Sequence, residues 1–550
     1  MRRFLLGGLV FAALAGAGLF ASRDYLILHA PGWLGRLRDP IGPTLPVTWQ
    51  AGPAMPASGD RPPNIVVIVA DDLGYNDLTW RGGGVADGAV PTPNIDSLAR
   101  DGVEFTRGYA GNATCAPSRA AIMTGRFPTR FGFEFTPAPK PFMKLVAHFN
   151  ENSPRPPTYF EEHEKDVPPM EKEGLPASEI SLPELLKTRG YHTLGLGKWH
   201  LGEAPPMRPE ARGFDEYLGF YAGGSMYLDR DDPNGVGSQQ DFDPIDKFLW
   251  ANLGFGVRKD GGPRFKPDAY MTDYLTREAV RAIGANRARP FFLYLAYNAP
   301  HTPLQATRAD FDALPGISNR RLRVYAAMIR ALDRGVGQVL EALRANGLES
   351  NTLVIFTSDN GGANYIGLPD INRPFRGWKM TFFEGGVHTP FFAKWPGRLQ
   401  PGSRFEAPIA HVDIFATAAA AAGAPLPSDR VIDGVDLVKL ARGEPDARTR
   451  EAIYWRSGHY RSLLAHGWKL QVSERPKKVW LFDMTADPTE KTNLADSRPD
   501  KVSELSALLA AQDGQMVAPL WPTLIEAPIA IDRTLADPLV NDEEYVDWAN

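Results

Sequence analysis

Cysteine is almost absent from this 550-residue sequence, which contains only Cys115. A single thiol cannot form an internal disulfide, and it cannot contribute to a metal site that needs paired cysteines. A chain of this length can bury a large hydrophobic core and does not depend on disulfides for stability. A free cysteine is most often a small buried hydrophobic side chain. The residues around Cys115 must therefore decide whether it has another role.

The sequence also lacks a basic excess. Its 60 Lys and Arg residues face 65 Asp and Glu residues, which leaves a net charge of −5. Proteins that bind nucleic acids usually carry a clear positive excess, so we expect no nucleic-acid partner. A locally positive pocket is still compatible with this charge. We find no internal repeat and no low-complexity tract except residues 416–422, whose alanines favour a tightly packed helix.

The N-terminus carries the longest uncharged apolar run. Arg2 and Arg3 precede a run from Phe4 to Ala21, a pattern typical of a secretory signal. The run is long for a signal and slightly short for a membrane span. We predict that residues 1–22 are a signal peptide or an N-terminal membrane anchor, with a buried core helix as the weaker alternative. Either export interpretation places the protein in the periplasm or outside the cell. Residues 23–62 lack periodicity and are predicted to be a linker.

Four apolar runs predict buried strands of a parallel sheet. The first, Asn64 to Ala70, is continuous and rich in β-branched residues, as expected for a strand buried on both faces. Three more runs share this form: Tyr191 to Leu196, Phe291 to Tyr297 and Leu353 to Thr357. Each run ends in polar residues. Since sites in open α/β sheets lie at the carboxyl ends of strands, we expect these four ends to meet.

Helix signals lie between the predicted strands. Ser181 to Glu184 forms a capping box, and residues 93–100 and 321–345 have helical character. This alternation predicts an α/β fold with a large, mostly parallel sheet flanked by helices. Strand-like pieces after residue 450 predict a smaller C-terminal α+β subdomain with an antiparallel sheet. We place the catalytic domain at 63–445 and the subdomain at 446–550. The pattern after Asp513 is too weak to interpret.

Two strand ends carry hard oxygen donors. Asp71 and Asp72 follow the first strand, and Asp359 and Asn360 follow the fourth. Carboxylate and amide oxygens suit Ca²⁺ or Mg²⁺, whereas zinc favours nitrogen and sulfur ligands. Adjacent buried carboxylates repel each other and need a cation or a proton. Either motif alone is more often a plain turn. Both together, after buried strands, predict a metal site.

The surroundings of Cys115 point to a family. Residues 115–119 read Cys-Ala-Pro-Ser-Arg, and Thr124-Gly125 follow at the end of a predicted helix. This segment resembles the signature of the type I sulfatases, which belong to the alkaline phosphatase superfamily. Three further segments are similar to the same family: Gly197 to Gly202, Asn298 to Pro303 and Trp480 to Leu494. The segment from Tyr270 to Thr302 looks closest to arylsulfatases and N-acetylgalactosamine sulfatases.

The resemblance implies a mechanism. In this family a formylglycine-generating enzyme oxidises the cysteine to formylglycine, an aldehyde that acts as its hydrate. One hydroxyl of the hydrate attacks sulfur and the ester oxygen leaves. The second hydroxyl then loses a proton, the aldehyde reforms, and sulfate departs. The implied activity is hydrolysis of a sulfate monoester, either an aryl sulfate or a sulfated sugar.

The resemblance also assigns a divalent cation, usually Ca²⁺, with Mg²⁺ as the alternative. Its implied ligands are Asp71, Asp72, the converted Cys115, Asp359 and Asn360. The helix that follows Cys115 would present its positive end to anions. A thiolate would be favoured there as well, so the helix alone does not establish the aldehyde.

Five further residues receive roles by resemblance. Arg119 would orient the hydrate, Lys198 would bind sulfate oxygens, and His200 would support the hydrate. His301 would bind sulfate and protonate the leaving oxygen, and Lys379 would reach the ester oxygen. The plain alternatives are a surface charge for Arg119, a strand-end cation for Lys198, a packed or hydrogen-bonded histidine for His200, a turn cap for His301 and a solvated loop lysine for Lys379. Within their motifs we favour the functional interpretation of Arg119, Lys198, His200 and His301.

Two departures from the family pattern affect the surroundings of Lys379. His388 stands where the family often has arginine, which weakens the expected support of Lys379. Trp378 replaces a smaller residue and is expected to narrow the pocket. Two long irregular segments, Phe131 to Pro176 and Gly223 to Lys266, are hypothesised to shape the pocket for the leaving group.

Two other functions are compatible with the same pattern. The first is a phosphomonoester or phosphodiester hydrolase of the same superfamily, since sulfate and phosphate are both tetrahedral anions. The second is a secreted binding protein without catalytic activity, which would require losses among the site residues.

Overall fold

The computed structural model describes residues 23–55 and 61–550. The predicted signal peptide or membrane anchor, residues 1–22, lies outside the described residues. Within the described ranges, no helix combines the length and the apolar character needed to cross a membrane.

The strands and helices of the described chain follow in sequence order. The strands are β1 Asn64–Asp71, β2 Val103–Phe105, β3 Gly108–Tyr109, β4 Thr158–Tyr159, β5 His192–Lys198, β6 Glu216–Phe220, β7 Gly235–Ser238, β8 Arg258–Lys259, β9 Phe291–Pro300, β10 Leu304–Thr307, β11 Thr352–Ser358, β12 Phe391–Lys394, β13 Ser403–Phe405, β14 Ile409–Ala410, β15 Ala452–Ser457, β16 Tyr460–Ala465, β17 Trp468–Glu474, β18 Lys477–Asp483, β19 Ile525–Ala530 and β20 Tyr545–Ala549. The helices are α1 Arg23–Arg38, α2 Pro93–Arg100, α3 Cys115–Thr124, α4 Lys140–Phe149, α5 Leu182–Lys187, α6 Pro244–Asn252, α7 Met271–Ala285, α8 Arg308–Asp312, α9 Arg320–Ala345, α10 Glu384–Val387, α11 Val412–Ala421, α12 Leu437–Ala441 and α13 Pro499–Asp513.

The largest sheet has nine strands in the order β13-β2-β12-β11-β1-β9-β5-β6-β8. Its five central strands, β11 to β6 in that order, run parallel to one another. β12 and β8 join this parallel block in antiparallel orientation. The predicted large and mostly parallel sheet is therefore confirmed, and each of the four predicted runs forms one of its central strands.

β1 explains why the sheet sits at the centre of the molecule. Every residue of β1 is buried, and alternate side chains enter different cores because the side-chain period of a strand is two. Val66 and Ile68 pack into the core that includes α7 and α9. Val67 and Val69 pack into the core that includes α3 and α11 on the other face. Helices therefore cover both faces, as expected for a parallel sheet.

The local helix signals are confirmed. Ser181 accepts a hydrogen bond from the Glu184 N–H at the start of α5, and the Glu184 side chain accepts one from the Ser181 N–H. α3 ends at Gly125, whose φ of 68° is left-handed, and its N–H bonds to the Ala121 carbonyl. A Cβ at Gly125 would stand 2.8 Å from the Phe415 side chain. Glycine is thus required there by both conformation and packing.

The C-terminal part contains the predicted antiparallel sheet. β15, β16, β17 and β18 form a four-stranded meander, with α13 packed on one face through Leu505 and Leu509. The uninterpreted tail after Asp513 forms β19 and β20. These strands build a three-stranded sheet with β4, from the segment that follows α4.

The predicted linker, residues 23–62, differs from expectation. Much of it is α1, which lies against α6, where the Asn252 side chain donates to the Leu28 carbonyl at 2.8 Å. Further along, the Gln50 N–H bonds to the Glu216 carboxylate at 2.9 Å. The segment is thus held by contacts with distant parts of the chain, which its local pattern does not reveal.

Candidate active site

The four strand ends meet at one edge of the large sheet. Asp71 ends β1, Lys198 ends β5, His301 follows β9, and Asp359 follows β11. The Lys198 ammonium lies 2.7 Å from Asp71 Oδ2, and the Asp72 N–H bonds to Asp359 Oδ1 at 3.2 Å. Parallel pairing places these ends side by side, as the strand pattern predicted.

Three carboxylates and an amide could hold a cation here. Asp71, Asp72, Cys115 and His301 have ligand atoms within 4.8 Å of one another. Asp359 stands next to this group and binds Arg119 at 2.8 Å, and Asp71 lies 3.6 Å from the same guanidinium. Burial and the nearby Asp359 carboxylate raise the pKa of Asp71 to about 7, against the opposing Lys198 and Arg119. A divalent cation would add to these positive charges and favour the ionised form of Asp71.

Asn360 supplies a direct test of the expected metal site. Its Nδ2 donates to Asp72 Oδ1 at 2.7 Å, but its buried Oδ1 has no hydrogen-bond partner. A buried carbonyl oxygen without a partner is unusual and calls for a further donor or an ion. Because this oxygen lies beside two carboxylates, the residues fit a hard divalent cation.

Cys115 lies at the N-terminus of α3. Thr114, the residue before the helix, is extended, and Cys115 begins the first turn, where backbone N–H groups lack helical acceptors. Its Sγ lies 3.2 Å from the Lys379 ammonium and 3.5 Å from Asp71 Oδ1. The side chain is therefore placed between the carboxylates of the expected metal site and a cation.

The surroundings of the Cys115 thiol oppose its ionisation. Burial, and then the charge of Asp359, raise the pKa of the Cys115 thiol, although Lys198 and Lys379 act in the other direction. A reactive thiolate needs a lowered pKa, so burial and charge here act against the thiolate that the helix terminus alone would favour.

Arg119 and Lys198 are fully buried cations. Arg119 Nε donates to Asp359 Oδ2 at 2.9 Å, and its Nη1 donates to the Lys198 carbonyl at 3.1 Å. Burial disfavours charge on Asp359, but Arg119 and Lys198 outweigh it and lower the pKa of Asp359 to about 2. Buried charges need such partners, and each of these side chains has one.

Lys379 is the most connected cation of the site. Its ammonium lies 2.9 Å from Asp72 Oδ2, 3.3 Å from His301 Nε2 and 3.0 Å from the Tyr365 hydroxyl. Burial opposes its charge, but Asp72 raises the pKa of Lys379 well above its usual value. Lys379 therefore keeps its proton near neutral pH.

Tyr365 was missed by sequence reasoning. It is buried and donates to Asp72 Oδ2 at 2.9 Å while accepting from Lys379. It lies in a short loop helix after Asn360-Gly361-Gly362, and nothing in its local pattern separates it from a core tyrosine. Only its position between a carboxylate and an ammonium identifies Tyr365 as a residue of the site.

The two histidines differ in their surroundings. His301 Nδ1 faces the Thr302 carbonyl at 2.6 Å, which leaves Nε2 directed at Asp72 and Lys379. His200 lies beside Gly223, where a Cβ would approach Nε2 to 2.6 Å. The buried Nδ1 of His200 has no partner. His200 therefore borders the site without joining the hydrogen-bond network of the other residues.

Three non-glycine residues at this site have a left-handed backbone conformation. Asp72, His200 and Met380 have φ values of 61°, 59° and 69°, which non-glycine residues rarely adopt. All three border the expected metal or substrate position. Such conformations persist where the surrounding fold enforces them, and they are common at functional sites.

The two departures from the family pattern lie away from the site. Trp378 is buried in the core that contains α9 and does not line the cavity above Cys115, so the expected narrowing is wrong. Met380 lines that cavity instead. His388 Nδ1 faces Glu384 at 2.7 Å, and Glu384 also binds Lys469 of β17. This histidine supports the C-terminal sheet, whereas the Lys379 N–H bonds to the Gly362 carbonyl.

A cavity of about 290 Å³ opens above Cys115. Both long irregular segments reach it, and each contains a helix that sequence reasoning did not assign, α4 in one and α6 in the other. The C-terminal strands β19 and β20 complete the enclosure through Ile525 and Trp548. Three regions that are distant in sequence therefore surround one opening.

Family models match most of the chain. The model described as Sulfatase matches residues 63–424, and the one described as N-sulphoglucosamine sulphohydrolase, C-terminal, matches residues 376–512. The first covers all the strand ends that meet at Cys115. The second covers the four-stranded C-terminal sheet.

Individual proteins agree with these models. N-acetylgalactosamine-6-sulfatase of Mus musculus is 36% identical over 390 residues, covering 70% of this chain and 66% of that protein. Steryl-sulfatase of Mus musculus is 35% identical over 477 residues, covering 74% of this chain and 69% of that protein. The chain thus spans about two thirds of the length of these relatives.

A solved structure extends the likeness to three dimensions. The crystal structure of Ps i-CgsB in complex with k-i-k-neocarrahexaose is similar with a TM-score of 0.69 and 33% identity. The match covers 84% of this chain and 95% of that one. A match of this extent takes in more of the chain than the catalytic domain alone.

Proposed function

This chain belongs to the sulfatase family of enzymes in the alkaline phosphatase superfamily, and we propose that it hydrolyses a sulfate monoester through formylglycine made from Cys115. The proposed substrate is an aryl sulfate or a sulfated sugar. The names of the two mouse relatives cover both a sugar and a steryl sulfate, so they support either a polar or an apolar ester. The observation that carries the proposal is the position of Cys115, 3.5 Å from Asp71 and 3.2 Å from Lys379.

The proposed cofactor is one divalent cation, Ca²⁺, with Mg²⁺ as the alternative. Asp71, Asp72, Asp359, Asn360 and the converted Cys115 would hold it, and the unpartnered Asn360 Oδ1 supports this assignment. When bound, the cation would polarise the sulfate ester and the hydrated aldehyde. Binding would also remove the proton that Asp71 retains near neutral pH, because metal ligands must be deprotonated.

The buried cations would bind and orient the reacting groups. Lys198 and the N-terminus of α3 face the same side of the site, where an anionic sulfate would gain from both. Arg119, tied to Asp359 and the Lys198 carbonyl, would hold the converted side chain of Cys115 in place. His200 would close the site on the side of Gly223.

We propose that Lys379 stabilises the leaving oxygen. Burial lowers the pKa of His301 to about 3, with Lys379 adding to the effect and Asp72 opposing it. His301 is thus neutral, its Nδ1–H donates to the Thr302 carbonyl and its Nε2 accepts from Lys379, so it has no proton to offer to the leaving oxygen. Lys379 stays charged, so it is the better donor to the departing oxygen. The resemblance assigned protonation of the leaving oxygen to His301, and we assign this role to Lys379 instead.

The proposal includes maturation and export. A formylglycine-generating enzyme would act on Cys115, and residues 1–22 would direct the chain to the periplasm or outside the cell as a signal peptide or membrane anchor. The catalytic domain would span residues 63–445 and the C-terminal subdomain residues 446–550.

The deciding experiment is a mass spectrum of the peptide that contains Cys115, from protein made in its native host. We expect the mass loss of a thiol replaced by an aldehyde, together with release of 4-nitrophenol from 4-nitrophenyl sulfate by the same preparation. A parallel assay with 4-nitrophenyl phosphate separates the two hydrolase classes.

An intact thiol with no turnover of either ester would contradict the proposal and favour a binding role. Preferred turnover of the phosphate ester would favour a phosphohydrolase.

A further inference from the structure

The walls of the cavity above Cys115 are apolar, in contrast to its charged floor. α4 contributes Phe142, Met143 and Val146, and α6 contributes Phe248 and Leu249. Phe142 and Phe248 pack against each other across the gap between the two helices, with ring centroids 4.8 Å apart. The part of the substrate beyond the sulfate would therefore contact aromatic and aliphatic carbon.

The walls carry few polar groups. Asn550 accepts from the Thr136 N–H at 2.7 Å and donates to the Thr136 carbonyl at 3.0 Å. The Thr136 hydroxyl is buried and has no hydrogen-bond partner, so it could serve one hydroxyl of a ligand. Little else on these walls remains to exchange hydrogen bonds with a row of hydroxyl groups.

The adjoining cavity is more polar. It carries Arg155, Arg533 and Glu543, in which both arginines pair with the one carboxylate, at 2.6 and 2.5 Å. It also carries Ser153 and Asn364, whose buried side-chain polar atoms have no hydrogen-bond partner. Only the part of the substrate next to the sulfate therefore meets walls that are short of hydrogen-bonding groups.

These observations separate polar from apolar substrates. A hydroxyl moved from water into a site without a partner costs about 1–3 kcal/mol, and a hexose carries several of them. An apolar ring of the same size gains free energy by leaving water for the same surface. The walls therefore favour an apolar substrate through their scarcity of hydrogen-bonding groups and their abundance of hydrocarbon.

Resting on the proposed sulfatase activity, we propose that the natural substrate is the sulfate ester of an apolar alcohol or phenol, with its hydrocarbon body held against the cavity-facing sides of α4 and α6. The apolar body would lie against Phe142 and Phe248 while the sulfate reaches Cys115 and Lys379. The specificity of this enzyme then comes from the helices of the two irregular segments.

A pair of matched esters tests this on the native protein with converted Cys115 and Ca²⁺. Cyclohexylmethyl sulfate and galactose 6-sulfate both carry a primary sulfate on a six-membered ring, but only the second has ring hydroxyls. We expect kcat/KM to favour cyclohexylmethyl sulfate by on the order of 100-fold or more, since several unpaired hydroxyls each weaken binding. A preference for galactose 6-sulfate would overturn the inference.

Two phenylalanines on the same helix provide matched variants. Phe142→Ser changes the cavity wall, whereas Phe149→Ser changes an exposed position of α4 outside the cavity. We expect Phe142→Ser to lower kcat/KM for cyclohexylmethyl sulfate roughly tenfold to 100-fold, mainly through KM, and to lower it less for galactose 6-sulfate, whose ring gains less from an apolar wall. Phe149→Ser should change neither. Equal losses on both esters would contradict a specific role of the wall.

The two proposals fail in different ways. If 4-nitrophenyl sulfate is hydrolysed but galactose 6-sulfate is preferred to cyclohexylmethyl sulfate, only the substrate inference falls. If none of the three esters is hydrolysed by protein with converted Cys115, the sulfatase proposal falls and takes the inference with it. Should Phe142→Ser fail to fold, the ratio of the two esters on the unchanged protein still decides.

Discussion

The floor and the wall of the cavity differ in polarity. The floor brings charged groups together at one edge of the large sheet. It consists of Asp71, Asp72, Cys115, Arg119, Lys198, His301, Asp359, Asn360 and Lys379. The wall, defined by the cavity-facing residues of α4, α6, β19 and β20, is almost entirely hydrocarbon. We propose that the chemistry depends on the floor and that substrate choice depends on the wall. Variants of the two regions should therefore fail differently.

The largest effect should follow removal of the nucleophile. Cys115→Ala should reduce turnover of every sulfate ester by on the order of 10⁵-fold or more, because losing a catalytic nucleophile removes the whole covalent route. Cys115→Ser serves as the matched variant, since it keeps a side-chain oxygen but cannot become an aldehyde by the same oxidation. Substantial activity in Cys115→Ala, measured with 4-nitrophenyl sulfate, would break the assignment of chemistry to the floor.

Loss of the cation should come next. Chelation, or Asp359→Asn, should lower kcat by roughly 10³-fold, since a metal contributes several kcal/mol to transition-state stabilisation. Ca²⁺ should restore the chelated enzyme but not the variant, and bound metal can be counted by elemental analysis. The control is Asp500→Asn, at an exposed ion pair of α13. Full activity of Asp359→Asn with no bound metal would refute the metal site.

Replacing Lys379 tests whether this floor residue assists the leaving group. Lys379→Met should slow hydrolysis of cyclohexylmethyl sulfate by about 10²- to 10³-fold, because the leaving alkoxide loses a donor. The loss should be much smaller for 4-nitrophenyl sulfate, whose leaving phenolate is already stable. Lys266→Met, at an exposed ion pair, is the matched control. A loss of equal size for both esters would show that Lys379 binds sulfate and does not assist the leaving group.

The smallest effect concerns pH and the support of α3. His411 faces the Ser118 hydroxyl at 2.9 Å and the Thr357 hydroxyl at 3.1 Å, and burial lowers its pKa to about 3 despite the nearby Asp359. The His411 imidazole therefore binds a proton near pH 6.5 in the unfolded chain, whereas in the folded chain it stays neutral until the pH falls towards 3. Stability due to this group is present above pH 6.5 and is lost as the pH falls towards 3.

The direction of this pKa shift predicts that the free energy of unfolding falls by about 1.4 kcal/mol for each pH unit below roughly 6.5. His411→Gln should reduce the difference in urea midpoint between about pH 7 and about pH 5, whereas His466→Gln, at an exposed position, should not. An unchanged difference in His411→Gln would show that other groups govern acid unfolding.

The contrast between floor and wall also bears on what could be predicted from the sequence. The floor residues at the strand ends and at the start of α3 lie within a few positions of buried strands or a helix start, so local patterns placed them. Tyr365 and His411 were not predicted, because each acts through a partner that is 293 residues away in the sequence. Most of the wall was not predicted either. α4 and α6 are short, and β19 and β20 lie in a segment whose pattern was too weak to interpret.

The sequence by itself determined which strand ends meet, because a continuous apolar run followed by polar residues is typical of a strand buried on both faces of a parallel sheet. It also identified Cys115, since the only cysteine of the chain stands in a motif of fixed residue types and spacing. Only the tertiary structure decided what surrounds the leaving group. The cavity wall joins Phe142, Phe248 and Trp548, and contacts between such distant segments leave no local pattern in a chain.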